Sequence, residues 1–234
     1  MTQAVSLSFF RYDRLTDRLW ALAMMAAARP AMARLEHVGF WKLLGSGVGE
    51  GFTPTALPRV IAILCTWPDE ATAREQVERA RIFGRYRRRA SETWSVFLSP
   101  ESAIGCWSGR TPFEAGGRKP GAALAALTRA TLRPRRLARF WRRVPAISTV
   151  IGRNEDVVFK IGVGEVPLLQ QVTFSIWPDR AAMARFARTG HHAEAIERVR
   201  SEGWFREELY ARFSILSDQG SWNGRSPLAG LELQ

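Results

Sequence analysis

The 234-residue chain contains three histidines, and two of them are adjacent in the run Thr189-Gly190-His191-His192. Imidazole titrates near neutral pH and is the commonest side-chain ligand for transition metals. Gly190 breaks a helical pattern that restarts at His191, and from His192 the residues at i+4 and i+7 are Ile196 and Val199. This spacing puts His192 on an apolar face that points inward, between helix and sheet. His191 lines up instead with Glu194, Ala195 and Arg198, so it flanks the inward position. Neighbouring helical residues diverge by about 100°, so the pair cannot grip one metal ion together. A lone imidazole serves a cofactor that brings its own four ligands, as haem does. It serves equally as a core side chain bonded to a backbone carbonyl, and the residues leave both readings open. His37 reads as an ordinary surface residue.

Other chemistries lack their residues. Cys65 and Cys106 are the only cysteines, which excludes a disulfide framework and a cysteine-based zinc or iron–sulfur site. They read as small packing residues near Trp67 and Trp107. The glycine run Gly45-Ser-Gly47-Val-Gly49 lacks the Lys-Ser/Thr of a phosphate loop, and no nucleotide-binding G-x-G-x-x-G or nucleophile-elbow G-x-S-x-G occurs.

The elements that must position His192 repeat along the chain. Trp67-Pro68-Asp69 recurs as Trp177-Pro178-Asp179, and Gly105-x-Trp107-x-Gly109-Arg110-x-Pro112 recurs as Gly220-x-Trp222-x-Gly224-Arg225-x-Pro227. Each Trp-Pro-Asp follows a strand pattern, a continuous β-branched run over Val60–Thr66 and an alternating one over Gln171–Ile176. Each precedes a helix for which the Asp is the expected N-cap. Further strands are expected at 5–12, 40–44, 93–98, 123–132, 157–163 and 209–216. The first helix carries Leu15, Leu19, Leu22 and Ala26 as one apolar stripe, and a counterpart helix is expected over Pro134–Val144.

Each half then reads β-α-β-β-α-β, so the fold class is α+β, a tandem duplication of ferredoxin-like halves forming a pseudo-dimeric α+β barrel. The expected domains are 1–113 and 122–234, joined by a breaker-rich linker at 114–121. The copies differ where the two signatures' offset grows, which is the segment containing His191 and His192. Duplicated halves usually specialise in one copy, so chemistry is expected in the second.

Composition narrows the partners. There are 34 Lys+Arg against 22 Asp+Glu, a net charge of +12, with Lys42, Lys119 and Lys160 the only lysines. Such a cation approaches anionic partners. A nucleic-acid reading as two RRM-like modules fails because the aromatic ribonucleoprotein string is missing around Phe159-Lys160. The longest apolar stretch, Trp20–Ala28, is far short of the roughly 20 residues that span a bilayer. Arg11 and Arg14 follow the N-terminal apolar run, the wrong order for a secretory signal. A cytoplasmic location is expected, with peripheral contact at an anionic inner or intracytoplasmic membrane surface.

Four strings, Gln171-VTFSIWPD-Arg180, Gly190-HHAEAI-Glu197, Glu202-GWFREELYARF-Ser214 and Gly220-SWNGRSPL-Ala229, resemble the spheroidene monooxygenases of purple photosynthetic bacteria. The resemblance covers nearly the whole chain and is densest from about Val157 to Leu228. It implies an O2-dependent mono-oxygenase that uses haem b and reduced ferredoxin. It further implies two hydroxylations at C-2 of an acyclic carotenoid, followed by loss of water to give the 2-ketone. Within it, His192 is expected on the haem iron with His191 as the fallback ligand, a local reading of helix phase rather than a family motif. Arg212 is expected to meet the propionates, and Phe174, Ile176, Trp177 and Phe213 are candidate walls for the carotenoid, depending on which strand face turns inward. The arginines at 85–89 and 133–143 would face ferredoxin or membrane. The competing readings are a non-catalytic α+β barrel binding protein and the tandem RNA-binding module.

Overall fold

A computed structural model describes residues 2–46, 57–117, 123–137, 156–166, 168–188 and 203–231. Its elements run β1 (Ala4–Arg11), α1 (Leu15–Ala27), α2 (Arg29–Ala33), β2 (Trp41–Ser46), β3 (Val60–Trp67), α3 (Glu70–Arg79), α4 (Arg81–Arg87), β4 (Glu92–Gly105), β5 (Leu124–Leu132), a 3-10 turn at Pro134–Arg136, β6 (Phe159–Gly164), β7 (Gln170–Trp177), α5 (Arg180–Arg188) and β8 (Phe205–Gly220). The eight strands close into an antiparallel barrel in the order β1-β3-β2-β6-β7-β5-β8-β4. The first four strands therefore lie in the order β4-β1-β3-β2 and the last four in the order β8-β5-β7-β6. The two sets join edge to edge through β4–β8 and β2–β6. The class is α+β, as the strand and helix patterns imply.

Strand alternation sorts the core into layers. Phe9, Trp94, Phe159, Phe174, Ile176, Phe213 and Trp222 face the barrel interior, and Phe9 stacks on Trp94 at 5.5 Å. Closure leaves this antiparallel sheet without free edges. β3 is buried on both faces, which explains its continuous apolar sequence: Ala62 and Leu64 point inward, Ile61, Ile63 and Cys65 outward against the helices. Both Trp-Pro-Asp signatures start helices as expected. Asp69 accepts a hydrogen bond from the Thr72 amide at 2.8 Å, and Asp179 accepts one from the Ala182 amide at 2.7 Å.

One expectation inverts. α1 docks through Ala21 and Met24, continued by Ala28 and Met32 beyond its end, with Trp20 and Met25 at the margin. The stripe Leu15, Leu19, Leu22 and Ala26 is turned to solvent. Small residues let the helix approach the sheet closely around Tyr12, Tyr86 and Phe83, and the bulkier leucines are left outside. The continuation of the second-half helix expected over Pro134–Val144 lies beyond residue 137, outside the described residues.

Candidate functional site

The Gly-x-Trp-x-Gly-Arg signatures are two-residue hairpin turns. Trp107 and Arg110 exchange backbone hydrogen bonds of 2.8 and 3.2 Å around Ser108 and Gly109, both with positive φ. Trp222 and Arg225 pair likewise around Asn223 and Gly224, again both positive. Positive φ at both central positions is the requirement of a type I′ turn, which explains the Gly. The first Gly of each signature has another reason. A Cβ on Gly105 would lie 2.1 Å from the Glu208 carbonyl oxygen, and one on Gly220 would lie 2.3 Å from that of Thr93.

Each turn caps the opposite half of the barrel. Glu92, at one mouth, accepts from the Gly224 amide at 2.8 Å and pairs with Arg11 at 2.6 Å, and the Arg11 guanidinium lies 4.1 Å over Trp222. At the other mouth Glu207 accepts from the Ser108 and Gly109 amides at 3.1 and 2.7 Å and is paired with Arg129. Trp107 donates there to Glu165 at 2.5 Å, and Lys42 pairs with the same carboxylate at 2.6 Å. Burial raises the pKa of Glu92, but the Gly224 and Asn223 amides, Arg11 and Ser221 outweigh it and hold the carboxyl below its ordinary range. Glu207 is held low in the same way, burial being outweighed by the Gly109 and Ser108 amides and by Arg129.

The outer face, where helices cover the sheet, differs between the halves. The strand registers equate six positions: Phe10 with Ala130, Leu43 with Gly162, Ile61 with Gln171, Ile63 with Thr173, Cys65 with Ser175, and Phe97 with Arg212. In the first half all six are at most 4% exposed and pack against α1, α3 and α4. The second half carries a smaller or more polar residue at every one. Burying a large apolar side chain contributes roughly 1.5–3 kcal/mol, so the second half lacks a substantial part of the interface that stabilises the first half. What is left is a floor of small side chains, with Ala126 and Thr128 between Ala130, Thr173 and Ser175. Trp177 stands at one end, its indole on Phe186 of α5 at 5.1 Å and its Nε1 donating to Ser175 at 3.0 Å. Arg212 stands exposed at one side. Beside it Ser214 donates to Glu101 at 2.6 Å, and Arg180 of α5 pairs with the same carboxylate.

The structure separates the candidate wall residues. Phe174, Ile176 and Phe213 are fully buried inside the barrel, whereas Trp177 lies on the outer face with α5, the face that also carries Arg212, the expected propionate partner. The four wall candidates therefore do not line one cavity. His191 and His192 lie outside the described residues, in the segment between α5 and β8. Cys65 is buried and burial pushes its thiol pKa up, consistent with a packing role rather than a thiolate ligand. Among the described residues no cluster of His, Cys, Asp and Glu can hold a metal ion, and no helix is long and apolar enough to cross a membrane.

The chain is 52% identical to the spheroidene monooxygenase of Cereibacter sphaeroides over 97% of its own length and 71% of that protein's. It is 45% identical to the spheroidene monooxygenase of Rhodobacter capsulatus, covering 98% and 97% of the two chains. The chain belongs to the spheroidene monooxygenase family. A third member, from Rubrivivax gelatinosus, is 37% identical over 89% of this chain and 80% of its own. No family model matches the sequence. Among solved structures, an aldoxime dehydratase superposes with a TM-score of 0.61 at 11% identity, covering 92% of this chain and 82% of that one. An aldoxime dehydratase co-crystallised with butyraldoxime gives 0.63 at 10% identity, covering 98% and 86%. These likenesses show the fold alone: this chain forms an eight-stranded antiparallel α+β barrel of the kind seen in those structures.

Of the six outer-face residues only Arg212 stands out by type; Ala130, Gly162, Gln171, Thr173 and Ser175 escape a search for chemically reactive side chains because most are small. The signal that reveals them is the contrast already present in the strings Val60–Thr66, continuous and apolar, and Gln171–Ile176, alternating.

Proposed function

We propose that this spheroidene monooxygenase family member binds one haem b on the outer face of its second half and oxidises C-2 of an acyclic carotenoid there. The two halves are read as a duplicated ferredoxin-like unit in which the first copy kept its apolar helix interface and the second gave it up for a cofactor. The observation that carries this reading is the exchange of six buried apolar positions for smaller or more polar residues in one half only. A floor of Ala126, Thr128, Ala130, Gly162, Thr173 and Ser175 suits a flat macrocycle, and the described residues fit haem in that respect.

His192 would hold the iron, with His191 as the alternative, and Arg212 would meet a propionate as a charge-assisted donor. Bound haem supplies the redox centre at which O2 is activated with electrons from reduced ferredoxin. The protein's part is placement and exclusion of water. Trp177 with Phe186 closes the end of the floor near Leu124, and the apolar seal limits wasteful loss of activated oxygen. The packed interior that contains Phe174, Ile176 and Phe213 serves as rigid backing for that floor, so the carotenoid end is assigned to the outer side, with Trp177.

Two successive hydroxylations at one carbon give a gem-diol, and loss of water gives the 2-ketone. The exposed arginines of α4 offer a surface to an anionic partner, either ferredoxin or the lipid in which an apolar carotenoid dissolves. The test is product analysis in a host that accumulates spheroidene. The 2-keto product is expected only with oxygen present and only with the intact chain. Unchanged spheroidene in aerated cells containing the folded protein would sink the reading.

A further inference from the structure

The outward stripe of α1 is the largest set of exposed apolar side chains on one described element. Leu15, Leu19 and Leu22 are 60%, 53% and 41% exposed, and Ala26 extends the row. At about 100° per residue the four span only about 60° of the helix, nearly opposite Ala21 and Met24, which dock it. Isolated exposed leucines need no explanation, but three aligned on a helix that already has a separate buried face do.

The charge around the stripe is one-sided. Residues 13–36 and 81–89 contain nine arginines against three acids, Asp13, Asp17 and Glu36. α4 abuts α1 through Trp20 and Tyr86, whose rings lie 5.6 Å apart, and through Arg89 on Asp17 at 3.0 Å. Arg81, Arg85, Arg88 and Arg89 are exposed on that flank, and Arg14 is exposed before the helix. One turn past Leu22 the surface opens into a cleft of about 480 Å³ lined by Met25, Arg29, Trp41, Arg110 and Val166, together with Glu165, whose carboxylate is paired with Lys42. There the guanidiniums of Arg29 and Arg110 stand 5.5 and 5.8 Å over Trp41 and Phe40, and neither is in an ion pair among the described residues.

We infer that α1 is a membrane-docking helix: Leu15, Leu19 and Leu22 enter the headgroup–acyl boundary of an anionic bilayer while Arg14, Arg29, Arg110 and the α4 arginines engage lipid phosphates. An interfacial helix takes its affinity from buried apolar area plus attraction to anionic lipid, and both are present on this face. A second copy of the chain is disfavoured, because pairing two such faces would bring the same arginine-rich flanks together. The docking rests on α1 and its surroundings. It gives the lipid contact a definite face and does not depend on the haem assignment.

The test is co-sedimentation of the purified full-length protein with phosphatidylcholine vesicles, with and without about 30% anionic phosphatidylglycerol. The wild type is expected to bind the anionic vesicles and to leave them in about 1 M salt. Leu19→Asp/Leu22→Asp should weaken that binding about tenfold or more, and Arg29→Glu/Arg110→Glu should reduce it while leaving the far-ultraviolet spectrum unchanged. Both pairs are solvent-facing, so an unaltered melting curve confirms that folding is intact. The inference is overturned if the leucine variant binds as the wild type does, or if the wild type ignores anionic vesicles. It is also overturned if sedimentation velocity shows a wild-type dimer that the leucine variant dissolves. Haem absorbance recorded on the same samples separates failure of docking from failure of the cofactor reading.

Discussion

Arg129→Met isolates the most buried charge in the barrel. The Arg129 side chain is 1% exposed, inside the barrel at the level where the first half carries Phe9, and its partners Glu207 and Glu165 are 20% and 17% exposed. Removing one partner of a buried pair costs about 3–5 kcal/mol because the other charge is left uncompensated. Here two features lower that figure. Glu207 keeps the Ser108 and Gly109 amides, and Met removes the Arg129 Nε, a buried donor without a partner. The expected loss is therefore about 2–3 kcal/mol. At about 2–4 °C per kcal/mol for a chain of this size, Tm should fall by about 4–12 °C, read by circular dichroism. Arg129→Met/Glu207→Gln should recover much of the loss, since the uncompensated charge is gone while the Gln oxygen still accepts from the Ser108 and Gly109 amides. A single variant within about 1 kcal/mol of the wild type, or a double variant no more stable than the single, would refute the view that this pair governs the mouth of the barrel.

The remaining predictions concern the same turns. Glu92 and Glu207 are both held below their ordinary value of 4.5 in the folded chain, so their contribution is present above that value and lost as pH falls through the lower folded value. Urea titrations should show stability dropping on the acid side of pH 4.5, and Glu92→Gln/Glu207→Gln should flatten that limb; an unchanged acid limb would contradict the assignment. Gly105→Ala and Gly220→Ala should each cost at least about 2 kcal/mol, since a Cβ meets a carbonyl oxygen in a left-handed backbone region. A melting temperature equal to the wild type's for either would show that β4 and β8 can part without penalty.

Much of this architecture is legible in the residues. Alternation and β-branched runs locate all eight strands, and Trp-Pro-Asp announces both capped helices. The function of Gly-x-Trp-x-Gly-Arg is hidden, because each turn caps a carboxylate about a hundred residues away in the other half: Gly109 on Glu207, Gly224 on Glu92. The orientation of α1 is hidden for a different reason. Periodicity finds the leucine stripe but does not say that Ala21 and Met24 make the closer contact with the sheet. The candidate site falls between these cases. The two histidines are conspicuous by type, whereas the floor is defined by what Ala130, Gly162 and Thr173 lack relative to Phe10, Leu43 and Ile63, a comparison that requires the strand registers.

The proposed haem site on the second half's outer face takes His192 as its iron ligand. Its most direct measurement is the haem content and Soret absorbance of the full-length protein purified from iron-replete cells, compared with His192→Ala and His191→Ala. About one haem per chain is expected in the wild type and in His191→Ala, with loss of the band in His192→Ala. A wild-type protein that stays colourless even after added haemin, or a His192→Ala protein that keeps its full Soret band, would contradict it.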